Sequence, residues 1–193
     1  MIKNLSRKFY RLKTSRNYLR FIKIFHHFFG EKFRKEIELP KLYNNLIHRK
    51  EIINEIIKLK NFNDYLEIGC DQNQLFSKIE IENKTGVDPE SGGNIKTTSD
   101  DFFSTNTKKF DIIFIDGLHI YEQVKKDILN SINCLNDGGI VLVHDCMPDS
   151  LAKQAVPRFK MKWNGDVWKS IVELRTRNDL NIITCLTLNL KQV

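Results

Sequence analysis

Acidic and imidazole side chains follow two apolar runs in the middle of the chain. Asp116 and His119 come after the run FDIIFI, and His144 and Asp145 come after the run IVLV. Unbroken apolar runs of this length are typical of strands buried on both faces of a parallel sheet. Carboxylates and imidazoles are among the side chains that most often carry chemistry in a cleft. We therefore expect the chemistry of the protein at these four residues.

The segment between the two runs has the pattern of an amphipathic helix. Its apolar residues recur at spacings of three and four and share one face: Tyr121, Val124, Ile128, Ile132 and Leu135. A right-handed strand–helix–strand crossover brings the carboxyl ends of both strands to one edge of the sheet, where open α/β sheets bind their ligands. We therefore expect Asp116, His119, His144 and Asp145 to converge at that edge.

A structural interpretation of the same four residues stays open. His119 could cap the helix that follows it, and Asp145 could bind the amides of its own loop. The convergence of four polar side chains at one edge favours a functional site. Trp163 and Trp168 could equally stack on a sugar or belong to the core.

The remainder of the chain alternates strand and helix patterns, which predicts a Rossmann-like, doubly wound α/β fold with a mostly parallel sheet. At 193 residues and 41% apolar content, one domain from residue 41 to 193 is expected. Ser99 and Asp166 are the predicted caps of two of its helices. The predicted strands are 65–70, 85–89, 95–98, 110–115, 140–143 and 181–188. The predicted helices cover 45–60, 121–135 and 167–177. Two shorter helices are predicted to start at residues 75 and 99, and a third short helix is predicted to end near residue 157.

Residues 1–40 are predicted to form a basic, amphipathic helical extension that ends at Pro40. Residues 1–39 hold eleven Lys or Arg and three Glu, which gives this segment a net charge of +8. The whole chain carries +7, so the residues after this segment carry −1. Such a helix could lie on an anionic membrane surface or clamp an acidic substrate. It could also pack on the domain or on a second copy in a homodimer. No nucleic-acid-binding motif accompanies the charge, so no nucleic-acid partner is expected.

Cysteine usage and hydropathy favour a cytoplasmic protein, with the extension allowing a peripheral place at the inner membrane face. No apolar run approaches the roughly 18–20 residues that a membrane span needs. The four cysteines, Cys70, Cys134, Cys146 and Cys185, show neither a CxxC motif nor a disulfide framework. Three of them lie in or beside predicted strands or helices, where buried free thiols are expected.

A second group of residues has the pattern of a nucleotide-like cofactor site. Glu67 and Gly69 end a predicted strand, a polar loop follows, and Asp88 ends the next strand 19 residues after Gly69. In α/β proteins the loop amides face the ligand and the acid takes ribose hydroxyls. The chain has no GxGxxG, which disfavours a dinucleotide and hence an NAD-dependent enzyme.

Six segments together resemble the class I S-adenosylmethionine-dependent methyltransferases. They are YLEIGCDQNQ, GVDPE, TSDDFF, FDIIFIDGLHIYEQVKKDI, LNDGGIVLVHDC and WNGDVWKSIVELR, within about residues 45–180. The DGxHxYE and HD motifs are similar to those of bacterial sugar and macrolide O-methyltransferases. The resemblance implies a seven-strand, Rossmann-like fold that binds S-adenosylmethionine. The cofactor-binding residues it implies are Glu67, Gly69, Cys70, Asn73, Asp88, Ser99, Asp100, Asp101 and Asp116.

The same resemblance assigns roles to the cluster at the sheet edge. His119, with Asp116, would be the catalytic base for a hydroxyl of a saccharide or other small acceptor, as in polysaccharide biosynthesis. Asp116, Asp145 and His144 would hold Mg²⁺, although His144 stands where those enzymes tend to have an acid. Two departures, Asn73 in place of a loop glycine and little chain for a seventh strand, support an alternative. The alternative is a non-catalytic binding module that has lost its cofactor.

Overall fold

The computed structural model describes residues 47–158 and 162–185, and the predicted extension of residues 1–40 lies outside them. Helices and strands are interspersed along the described chain. In order they are α1 (Arg49–Lys60), β1 (Asp64–Ile68), β2 (Asn83–Val87), α2 (Ser99–Thr105), β3 (Phe110–Ile115), α3 (Tyr121–Asn133), β4 (Leu135–Val143), α4 (Leu151–Gln154) and α5 (Trp168–Leu174).

The four strands form one parallel sheet in the order β2-β1-β3-β4. The chain passes from β1 outward to β2 and then returns to the other side of β1 to form β3. This reversal makes the β1–β3 boundary the topological switch point, where α/β sheets bind ligands beyond the carboxyl ends of the strands. The predicted doubly wound, Rossmann-like fold is confirmed.

An apolar cluster lies on each face of the sheet. Successive side chains along a strand point to opposite faces and so enter the two clusters in turn. Leu66 and Ile68 of β1 face a cluster that includes residues of α2, α3 and α5. Tyr65 packs on the opposite face, in a cluster that includes Ile53 and Ile57 of α1. Helix α1 therefore lies on one face alone, and its amino end meets the edge where the strands end.

Three predicted elements differ from the structure. Residues 95–98 form no strand, since Ile95 makes only an isolated bridge to Val87. The helix predicted from residue 75 is a single 3₁₀ turn, Phe76–Lys78, because the chain turns to extended geometry at Ile79. Residues 181–185 form no strand, and the remainder of the strand predicted to 188 lies outside the described residues.

Both predicted helix caps are wrong. Thr98 is the residue before α2, and its hydroxyl accepts a hydrogen bond of 3.1 Å from the Asp101 amide, so Ser99 is already helical. Asp166 does not cap α5, whose preceding residue is Val167. Its Oδ1 instead accepts a 2.7 Å bond from the amide of Tyr121 at the start of α3. A side chain 45 residues away thus satisfies an orphan amide of that helix.

Candidate active site

The four polar residues predicted at the sheet edge lie in one connected network, centred on Asp116 at the end of β3. Its Oδ1 lies 3.0 Å from Nδ1 of His144 and 3.3 Å from Nε2 of His119. Its Oδ2 accepts a 2.8 Å hydrogen bond from Nη1 of Arg49. Three side chains from three segments therefore converge on one carboxylate.

Asp145 links the same two histidines from the other side. Its Oδ2 is 3.3 Å from Nδ1 of His119, and its Oδ1 is 3.4 Å from Nδ1 of His144. The side-chain amide of Asn164 donates a 2.8 Å bond to Oδ1 of Asp145. The backbone of Asp145 has a positive φ of 58°, a conformation that Asp tolerates better than most residues and that turns the chain after β4.

His119 is held on both ring nitrogens and on one ring face. Nδ1 lies 3.0 Å from the carbonyl oxygen of Trp163, and the Trp163 ring stacks on the imidazole with 5.5 Å between centroids. His119 does not cap α3. The N-cap position of this helix is taken by Ile120, and no side-chain cap bond is made there. Its Nδ1 faces a carbonyl that can only accept, so a neutral His119 would keep its proton there and leave Nε2 as the base.

The network favours the charged forms of Asp116, His119 and His144. Burial disfavours the charge on His144, but the carboxylates of Asp116 and Asp145 outweigh burial and raise its pKa to about 10. Burial likewise opposes the charge on His119, yet Asp116 and Asp145 raise its pKa. The pKa of Asp116 is held well below its usual range, since the two histidines outweigh the cost of burial.

Arg49 is the member of the network that the sequence did not reveal. It opens α1, 67 residues before Asp116, and only the packing of α1 on the sheet brings the two together. One signal was available in the sequence. The first turn of a helix favours acidic residues, because the helix dipole is positive at that end, so an arginine there is unfavourable without an outside partner.

The donor set of this network does not fit magnesium. Asp116, His144 and Asp145 each offer a ligand atom, and these atoms lie within 4.8 Å of one another. One of the three donors is a nitrogen, whereas Mg²⁺ prefers oxygen ligands. The guanidinium of Arg49 already binds Oδ2 of Asp116 and lies 3.3 Å from Nε2 of His144. A cation shared by Asp116 and His144 would meet that positive charge.

The loop after β1 contains the residues predicted to face the cofactor. Gly69 has a φ of +87°, and a Cβ added there would lie 2.4 Å from the carbonyl oxygen of Asp116. The loops after β1 and β3 therefore approach each other at a distance that only glycine allows. Asn73, which takes the place of a loop glycine, has a φ of +61°, so asparagine does adopt the left-handed turn.

Asp88, the predicted ribose acceptor, ties the loops after β1 and β2 together. Its side chain is buried, at 8% exposed; Oδ2 accepts from the Asp71 amide, and Oδ1 from the amides of Glu90 and Ser91, all at 2.9 Å. A carboxylate has about four acceptor positions, so about one remains for a ligand hydroxyl. The predicted role of Asp88 in cofactor binding stays a prediction, with this one acceptor position left for it.

The other predicted cofactor residues are not part of the charged network. Glu67 is 2% exposed and accepts a 2.5 Å bond from the Tyr65 hydroxyl. Burial raises the pKa of Glu67 to about 7. The Tyr65 hydrogen bond lowers this pKa, and the charge of Asp116 raises it by a smaller amount. Cys70 is a buried free thiol, whose pKa burial raises. Ser99, Asp100 and Asp101 lie in the first turn of α2, where the first two accept bonds from Gln123 of α3.

Residues 66–146 match a family model described as a methyltransferase domain. The matched range runs from β1 to the loop after β4, and it contains every member of the network except Arg49, Trp163 and Asn164. No curated protein matches the chain. Among solved structures, the chain is similar to that of "a putative caffeoyl-CoA O-methyltransferase from Staphylococcus aureus", with 17% identity and a TM-score of 0.39, over 75% of this chain and 73% of that one.

Proposed function

We propose that the protein is an S-adenosylmethionine-dependent methyltransferase that methylates a hydroxyl oxygen of a saccharide or another small hydroxylated acceptor. The observation that carries this proposal is the His119–Asp116 pair, held at the switch point of the sheet inside the range that matches a methyltransferase domain. A base at that place lies where α/β folds bring ligands.

Bound S-adenosylmethionine would supply an activated methyl group on its sulfonium; the acceptor oxygen would take this methyl as the C–S bond breaks, and S-adenosylhomocysteine would be released. The protein has to bind the two molecules in line and dispose of one proton. Asp88 would hold the ribose hydroxyls, and Gly69 would let the methionine part approach the backbone of β1.

His119 would accept the acceptor's hydroxyl proton at Nε2. Trp163 fixes the ring through its carbonyl at Nδ1, and Asp116 lies 3.3 Å from Nε2, where it stabilises the imidazolium that forms. The same carboxylates raise the pKa of His119, so the ring holds its proton to a higher pH than a free imidazole does. Transfer is therefore expected to accelerate as pH rises through this raised pKa, where the ring loses the proton from Nε2.

A second candidate function is a binding module without catalysis. Asp88 already accepts three backbone bonds, and Oδ1 of Asn73 accepts a 2.6 Å bond from the Gly93 amide. These bonds join the loops after β1 and β2 across the place where a ribose would lie. If they never open, the fold would bind a partner and not a cofactor.

Calorimetric titration of S-adenosylhomocysteine separates these two functions. We expect micromolar binding to the wild-type chain and at least about tenfold weaker binding to Asp88→Asn, since one charge-assisted hydrogen bond is lost. Asp64→Asn is the matched control, because Asp64 begins β1 at the opposite edge of the sheet. No heat of binding at millimolar ligand would exclude the methyltransferase and favour the binding module.

We place the enzyme in the cytoplasm, with residues 1–40 holding it against anionic lipid or a lipid-linked acceptor. Within the described ranges, no helix has the length and apolar character to cross a membrane. The net charge of the first 39 residues supports a surface contact. Vesicles that contain phosphatidylglycerol should bind the wild-type full chain. They should not bind the triple variant that carries Arg11→Glu, Arg20→Glu and Lys23→Glu together. Equal binding of both proteins would exclude this role.

A further inference from the structure

We propose that the Arg49 guanidinium occupies the cation position beside Oδ2 of Asp116 and so excludes a divalent metal ion from that carboxylate. The exclusion follows from contacts among the chain's own residues. The consequence, that methyl transfer proceeds without a metal ion, rests on the proposed function.

The guanidinium lies in the position that a shared cation would need. Nη1 donates to Oδ2 of Asp116 at 2.8 Å, and it lies 3.3 Å and 3.5 Å from the two ring nitrogens of His144. The guanidinium carbon is 5.8 Å from the centre of the Phe114 ring, a distance at which an aromatic face attracts a cation. Arg49 thus touches two of the three residues that could ligate a metal.

The charge of the site leaves little attraction for a second cation. Two carboxylates, Asp116 and Asp145, are the anions of the network, and the Arg49 guanidinium offsets one of them directly. A divalent ion at Asp116 would lie within a few ångströms of that guanidinium, where like charges repel strongly in a partly buried site. A metal ion and Arg49 would therefore compete for the same oxygen.

Anchoring α1 does not by itself explain an arginine at this position. Ile53 and Ile57, one and two turns further along, already bury their side chains against the sheet, at 1% and 6% exposed. A positive charge in the first turn opposes the helix dipole. The Asp116 bond supplies what that charge needs, and it fixes Oδ2 so that Oδ1 faces the two histidines.

Arg49 is accordingly a positioning residue that acts through Asp116. Binding Oδ2 orients the carboxylate whose Oδ1 lies beside His119. The guanidinium is part of the chain and carries a permanent positive charge. This charge is therefore present beside Asp116 whether or not metal ions are available. Among the described residues, no hydrogen bond uses the Nε or Nη2 groups of Arg49.

The test measures metal binding alone, with Mn²⁺ as a paramagnetic probe for Mg²⁺ and the full chain in every sample. Electron paramagnetic resonance would follow free Mn²⁺ with the wild type, Arg49→Met, Arg49→Lys and Asp116→Asn. Lys50→Met is the matched control: it removes a charge from the next residue of the same helix, which has no bond to Asp116. Because no cofactor is added, the result is independent of whether S-adenosylhomocysteine binds.

We expect wild type, Lys50→Met and Arg49→Lys to bind Mn²⁺ only weakly, with no change on Asp116→Asn. Arg49→Met should bind Mn²⁺ at least tenfold more tightly, and Asp116→Asn in the same chain should abolish that gain. Wild-type binding that Asp116→Asn removes would overturn the proposal, as would a folded Arg49→Met that gains nothing. If Arg49→Met does not fold, the comparison of wild type with Asp116→Asn still decides.

Discussion

Replacing Gly165 with alanine is the sharpest test of how the base is positioned. Gly165 has a φ of +63°, and a Cβ added to it would lie 1.8 Å from the carbonyl oxygen of His119. Gly138 has a φ of +75° but open space around the added Cβ, with nothing within 4 Å. The two alanine variants share the backbone penalty and differ in the overlap with His119.

The size of each effect follows from these two contributions. The left-handed conformation costs alanine about 1–2 kcal/mol, and Gly138→Ala should lose only that. Gly165→Ala must also move the Trp163–Gly165 turn away from His119, which adds about 1–3 kcal/mol by comparison with overpacked cores. Urea denaturation of both variants would give the difference in the free energy of unfolding.

The displacement should also reach the chemistry, because the carbonyl of Trp163 in this turn bonds Nδ1 of His119. Gly165→Ala is therefore expected to weaken methyl transfer while leaving the binding of S-adenosylhomocysteine unchanged. Equal stability of the two variants would mean that the turn does not pack on His119, and the positioning of the base would need another explanation.

Two further predictions concern α2 and α3. Thr98→Ala should cost about 1 kcal/mol in urea denaturation, the usual cost of a lost N-cap, while Thr97→Ala should cost little; the reverse order would contradict the cap. Burial raises the pKa of Asp127 from an ordinary 3.8 to about 6, so its folded form holds a proton between those values that the unfolded chain has released. Stability should therefore fall as pH rises from about 4 to 6, by about 3 kcal/mol at most, and Asp127→Asn should lack that part of the slope. Urea melts across this range, with wild type and variant in parallel, would measure it, and identical slopes would contradict the burial of a titrating carboxyl.

Local pattern was sufficient for the core of the candidate site. The apolar runs of β3 and β4 and the spacing of α3 define one crossover, and the handedness of such crossovers places Asp116, His119, His144 and Asp145 at one edge. Asp88 and Gly69 were found in the same way, from the ends of two strands. Each of these positions depends only on the order of neighbouring elements.

Contacts between segments that are distant in the sequence could not be predicted from local patterns. Arg49 reaches Asp116 across 67 residues, and Asp166 reaches the Tyr121 amide across 45. No periodicity in either segment encodes the partner, since the contact depends on how α1 packs on the sheet and how the turn before α5 folds back. The expected strand at 95–98 failed for a related reason, because a β-propensity pattern does not state whether a neighbouring strand is there to pair.

Transfer of a labelled methyl group is the measurement that tests the proposed function most directly. Wild type, His119→Gln and the exposed control Glu122→Gln would be incubated with methyl-labelled S-adenosylmethionine and a panel of hydroxylated saccharides. We expect label in a saccharide product from wild type and Glu122→Gln, and at least about a hundredfold slower transfer by His119→Gln, the usual contribution of a general base. Binding of S-adenosylhomocysteine without any transfer, or transfer that His119→Gln leaves intact, would contradict the proposed catalytic role.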